Sequence, residues 1–228
     1  MTARVLAAGD SAWLVELPER IDPDINARAI AIARAVEQSD LPLSDVVVGY
    51  RSVMVYLDPL APGAEHAEGT LERIVAALPA RVTAPGRQLD VPVCYEAPYG
   101  PDLPDVAAFA GCRAAEVVER HLAREYRVYV VGFVPGFAYM ASVDPTIAAP
   151  RRSSPRLSVP PGSVAIAAGQ TGIYPAPTPG GWHLIGRCPI KPYDPSRPAP
   201  FLFHPGDRVR FRRISAAEYR ATTAWEDA

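Results

Sequence analysis

Arg151, Arg152 and Arg156 crowd into one segment, Val134–Gly162 (VPGFAYMASVDPTIAAPRRSSPRLSVPPG), that shows no helical or strand periodicity. Guanidinium forks bind carboxylates through paired hydrogen bonds, so such a cluster suits an acidic small molecule. The competing use, an internal salt bridge to the rest of the fold, has equal weight. A second stretch, Gly169–Pro189 (GQTGIYPAPTPGGWHLIGRCP), adds Gln170, Tyr174, His183 and Arg187 as hydrogen-bonding groups. Tyr139 and Trp182 offer flat apolar surface. Proline stiffens both stretches and Gly180-Gly181 permits close backbone approach, which together describe one wall of a preformed pocket or interface. The expected substrate-binding set is Arg152, Arg156, Gln170, Tyr174, Arg187 and Tyr139. His183 is the candidate for proton transfer, because in an extended strand it points away from Trp182 and Leu184.

Other chemistries lack their residues. No G-x-x-x-x-G-K-[ST] occurs, and the lone lysine, Lys191, follows no glycine loop. In Gly132–Phe137, Pro135 removes one backbone N–H that a phosphate cradle would use. Ser153-Ser154 have no lysine beside them, and G-x-S-x-G is missing, so an amidase nucleophile has no setting here. Cys94, Cys112 and Cys188 are odd in number and scattered, which is neither a disulfide framework nor a metal site. Cys94 and Cys188 read as small buried apolar residues, His121 as a structural histidine on an apolar helix face, and His204 as a turn residue. Arg208, Arg210 and Arg212 share one face of a strand and read as a solvated face or as a docking strip for an acidic partner.

The elements that must position these residues fall into two halves. Of 26 prolines, seven precede position 91 and 19 follow it; acids outnumber basic residues before that point and the balance reverses after it. That shift places a boundary near Asp90, giving domains 1–90 and 91–228. In the first, a strand near Ala12–Leu17, a helix begun by Asp22-Pro23, strands at DVVVGY and RSVMVYLDP, a helix through Leu71–Leu78 and a strand at RQLDVPVCYE spell β-α-β-β-α-β. An extra strand falls at Arg4–Ala8. This is the split βαβ, ferredoxin-like order. In the second, two short helices precede many short strands, the pattern of a compact barrel or sandwich. FLFHPGDRVRF reads as a hairpin with Pro205-Gly206 at its tip, and Ala216–Trp225 as a terminal helix. A net charge of −2, no apolar run of spanning length and no signal-peptide pattern point to a cytoplasmic protein with no appetite for nucleic acid or membrane.

VYVVGFVPGFAYM, PRRSSPR, VPPGSVAIAAGQTGIYP and PGGWHLIGRCP, in that order, resemble the B-subunit family of 5-oxoprolinase, also labelled allophanate hydrolase subunit 1 and including the Kip inhibitor of a sporulation histidine kinase. VPVCYE, GPDL and VVGYRSVMVYLDP extend the resemblance over almost the whole chain. It implies an α+β fold, a small ferredoxin-like N-terminal domain followed by a cyclophilin-like β-barrel. It implies two partners, the homologous C subunit of 5-oxoprolinase and its A subunit, with ATP and Mg used by the complex; no cofactor site is evident in this chain. It implies ATP-dependent opening of 5-oxoproline to glutamate. The alternatives it carries are a regulatory binder of a histidine kinase and half of a carboxyltransferase or allophanate-hydrolase-like assembly.

Overall fold

The computed structural model describes residues 3–82, 86–223 and 225. The chain forms two compact units, Met1–Pro85 and Gly86–Ala228. In the first, β1 (Arg4–Ala7), β2 (Ala12–Glu16), α1 (Pro23–Glu37), β3 (Leu43–Val48), β4 (Ser52–Leu57) and α2 (Ala67–Ala77) follow in order. The Asp22 carboxylate accepts hydrogen bonds from the Asp24 and Ile25 N–H groups, and Pro23 opens the helix where no donor is missed. Ile25, Ala29, Ile32, Ala33 and Val36 then share the buried face, against Val15, Val53 and Val55 of the sheet. The sheet order is β1-β2-β4-β3, antiparallel throughout. α1 carries the chain from β2 to β3 with β4 between them, which is the split arrangement expected.

The closing strand departs from expectation. Residues Gln88–Cys94, assigned from the sequence to the end of the first domain, form β5 of the barrel instead. The edge beside β2 is already filled by the N-terminal β1. β5 gains a seven-residue parallel ladder along β13 (Arg208–Ile214), and Val91 and Val93 enter the barrel core.

The second unit runs α3 (Leu103–Ala110), α4 (Ala114–Leu122), β6 (Glu125–Val131), β7 (Ala138–Ala141), β8 (Arg156–Val159), β9 (Ser163–Ala167), β10 (Gln170–Ile173), β11 (Thr178–Gly180), β12 (His183–Arg187), β13 and α5 (Ala216–Thr222). Seven strands close in the order β10-β7-β6-β13-β5-β12-β9, and β8 and β11 pair as a separate ribbon. The segment without periodicity therefore holds β7, a short 3-10 turn at Pro145–Ile147 and β8. Val128, Met140, Val164, Ile166, Ile173, Ile185 and Phe211 fill the interior together with Val106 and Val117 of the two helices.

The expected hairpin at FLFHPGDRVRF does not form. β13 pairs with β5 and β6, while Phe201 makes a single bridge to Tyr193. Phe203 joins the core with Val209 and Phe211, but Phe201 stays exposed. Asp207 explains the difference: its buried carboxylate accepts from the His204 N–H and from Arg87, so the 204–207 turn is tied to the start of β5. The expected terminal helix ends at Thr222; its continuation to Trp225 passes through Ala224, outside the described residues. No helix among the described residues is long and apolar enough to cross a membrane.

Candidate functional site

Period-two alternation puts Val164 and Ile166 of β9 inside the barrel and Ala165 and Ala167 outside it. On β10 the same rule sends Thr171 and Ile173 inward and Gly172 outward. These small outer residues make a shallow bed. Phe137 lies on it: a Cβ added at Gly172 would stand 3.0 Å from the Phe137 ring. Phe137 is the hub of an aromatic group, with ring centroids 4.8 Å from Tyr139, 5.2 Å from Tyr174, 5.6 Å from Trp182 and 5.9 Å from Phe133. Edge-on geometry throughout matches ring edges to ring faces.

These rings, with Pro155, Pro179, Gly180, Gly181 and Arg151, line a cleft of about 260 Å³. Phe133 stands at its lip, 63% exposed, with φ at +74°. A bulky side chain in the left-handed region costs roughly 1–3 kcal/mol, a strain characteristic of ligand sites. A second cleft of about 440 Å³ adjoins the first through Arg151 and is lined by Asp105, Phe109, Pro150, Arg152, Ser153, Ser154 and His183.

Asp102 organises the wall between the arginine segment and the barrel. Only 3% exposed, its carboxylate accepts from Arg152 Nη1 at 3.2 Å, Arg156 Nη2 at 2.6 Å and the Leu184 N–H at 2.7 Å. Arg152 also reaches Asp105, and its backbone N–H donates to the Gly181 carbonyl. Arg152 and Arg156 thus take the internal-salt-bridge role, and the guanidinium for which the structure records no such partner is that of Arg151. Its charge reaches Tyr139 and Tyr174, whose phenols burial pushes up, Tyr174 to about 12. Both therefore remain O–H donors at neutral pH.

His183 Nε2 lies 3.0 Å from the Pro150 carbonyl. A carbonyl only accepts, so Nε2 donates to it, and the other ring nitrogen is Nδ1. That Nδ1, with Arg152 Nε, Arg156 Nη1 and Thr178 Oγ1, is buried without a hydrogen-bond partner. Buried polar atoms are nearly always paired, so this corner of the unit holds unused hydrogen-bonding capacity.

The remaining expected residues part company. Tyr139 and Tyr174 line the aromatic cleft, and Arg152 and His183 the polar one. Gln170 and Arg187 line neither. Gln170 pairs along β10 with Ala141 and Ala167. Arg187, at the far end of β12 from His183, donates to the Pro161 carbonyl. Thr171 faces the core, bonded to His121.

Asp102 and Phe133 were missed by sequence reasoning. Asp102 precedes a helix and reads as a cap, yet its side chain caps nothing in α3. Phe133 sits in an apolar run, where nothing separates a lip residue from a core residue.

Residues 3–203 match the family model described as carboxyltransferase domain, subdomain C and D. The B subunit of 5-oxoprolinase from Bacillus subtilis is 37% identical over 224 residues, 93% of each chain. The chain belongs to the B-subunit family of 5-oxoprolinase. A second member, the 5-oxoprolinase B subunit of Escherichia coli O157:H7, is 50% identical over 55% of this chain and 57% of its own. Among solved structures, TTHA0988 superimposes with a TM-score of 0.79 and 38% identity over 90% of this chain. This 5-oxoprolinase B-subunit homologue spans 40% of the TTHA0988 chain.

Proposed function

We propose that the chain is one subunit of an ATP-dependent 5-oxoprolinase, which opens the lactam of 5-oxoproline to glutamate only when assembled with the homologous C subunit of that enzyme and its A subunit. The observation that carries this reading is that two of the site's three arginines are spent on Asp102 and no thiolate is at hand. His183 holds its proton against the Pro150 carbonyl, and Arg152 and Arg156 are fixed on Asp102. Burial pushes the Cys188 thiol up to about 12 and raises that of Cys94, so neither supplies a thiolate. The two clefts bind and orient; the groups that attack and protonate come from another chain. The names of the curated relatives support the same reaction.

This reading leaves ATP and its Mg²⁺ to the assembled complex. Among the described residues no three His, Cys, Asp or Glu side chains gather where a metal could sit, and no glycine-rich phosphate loop occurs in the sequence. The nucleotide is assigned to the partner polypeptides, and no step on this chain runs through it. A cytoplasmic assembly agrees with three free cysteines.

The test compares the purified chain with the three co-purified polypeptides, reading glutamate formed from 5-oxoproline and ATP. The expected result is turnover by the assembly and none by the chain alone. Full turnover by the lone chain would overturn the shared-site reading.

A further inference from the structure

We propose that the aromatic cleft is the ring subsite for the substrate: one five-membered ring lies against Phe137, Tyr139 and Trp182 while its carboxylate pairs with Arg151. The inference rests on the 5-oxoprolinase reading and goes beyond it by assigning the residues that choose the ligand.

Size is the first argument. Drug-sized ligands occupy pockets of about 300–1,000 Å³. A cleft of about 260 Å³ suits something smaller, a single ring with one substituent. The cleft's surface is the second. Its floor and sides are aromatic rings already locked against one another, so little side-chain freedom is lost when a ligand arrives. Gly180 could not be larger, because a Cβ there would stand 2.4 Å from the Tyr174 hydroxyl oxygen. Such a surface favours a flat or puckered ring over a flexible chain.

Charge is the third argument. Three arginines converge on this corner, and the Asp102 carboxylate takes two of them. Arg151 alone lines both clefts and has no recorded acid partner. A guanidinium beside an aromatic floor recognises an anion carried on an apolar ring. The lactam edge of such a ligand then faces the mouth at Phe133, where a second polypeptide can reach it.

Two variants probe the site outside the buried core. Arg151→Gln deletes an exposed charge. Gly181→Ala adds a methyl to the lining, where it would meet Pro155 Cγ at 3.6 Å and the Arg152 carbonyl at 3.8 Å, ordinary contacts. Saturation-transfer NMR and calorimetry on the full chain are run with 5-oxoproline, cyclopentanecarboxylate and 2-pyrrolidinone. Both ring carboxylates should bind and 2-pyrrolidinone should not. Arg151→Gln should weaken the carboxylates roughly tenfold or more, and Gly181→Ala should weaken them too. Equal affinity of wild type and Arg151→Gln, or failure of both carboxylates to bind, overturns the proposal.

The full assembly is assayed in parallel. Ring opening with an unchanged KM in the Arg151→Gln assembly strikes the cleft and leaves the function standing. Specific binding by the chain without ring opening by the assembly supports the cleft and strikes the function.

Discussion

His121 shows how much one buried side chain can decide. Thr171 Oγ1 donates its proton to the Ala165 carbonyl, so it can only accept from His121 Nε2. His121 Nδ1 is then the lone pair that accepts the Tyr95 hydroxyl proton. The ring is neutral, stacked on Phe211 at 4.7 Å, and desolvation lowers its pKa from 6.5 to about 3. The folded state therefore binds fewer protons than the unfolded chain between those values. The stability His121 contributes is complete above about pH 6.5 and drains as pH falls towards 3, by up to about 1.4 kcal/mol per pH unit. His121→Phe should flatten this part of the stability curve while leaving the Tyr95 hydroxyl unpaired, at about 1–3 kcal/mol near pH 7. Urea melts of both proteins from pH 7 to 4 check this; parallel pH profiles would refute it. The histidine's structural role was legible from its apolar helix face. Its partners were not, because they lie 26 and 50 residues away.

At the scale of elements, the outward side of β9 and β10 matters as much as the core side. A strand with alanine and glycine on one face normally packs poorly. Here the small residues leave room for Phe137 and Trp182 to pack edge to face and build the cleft. Gly172→Val should overpack that bed, forcing Phe137 off its seat and costing about 1–3 kcal/mol. The same variant should weaken ring-carboxylate binding more than its loss of stability explains. Thermal melts and calorimetry on one preparation test it, and intact affinity in a destabilised protein would separate bed from cleft. That short strands make up the second half was readable from the sequence. The ribbon of β8 and β11 was not, because a four-residue and a three-residue strand separated by a long connection carry too little periodicity.

Across the whole barrel, closure depends on residues far apart in the chain. Asp207 accepts from the backbone and guanidinium of Arg87, 120 residues earlier, and from His204. It joins the start of the first barrel strand to the start of the last, beside the parallel β5–β13 ladder. Asp207→Ala removes a buried carboxylate and leaves the Arg87 and His204 N–H groups without their acceptor, at a cost of about 3 kcal/mol, the low end for a buried pair because Arg87 is half exposed. Hydrogen exchange should show the β5 and β13 amides losing protection first; unchanged protection there would show that the ladder closes without the clasp.

The chain's own order of residues determined the two-part organisation, the helix beginning at Asp22-Pro23, the stiff arginine segment and the family resemblance. Each of these is written in contacts between near neighbours or in long ordered motifs. Only the tertiary structure decided that Gln88–Cys94 belongs to the barrel, that Asp102 takes Arg152 and Arg156, and that Arg151 is left facing the clefts. Those outcomes are competitions between distant partners for one sheet edge or one carboxylate, and local spacing holds no information about which partner wins.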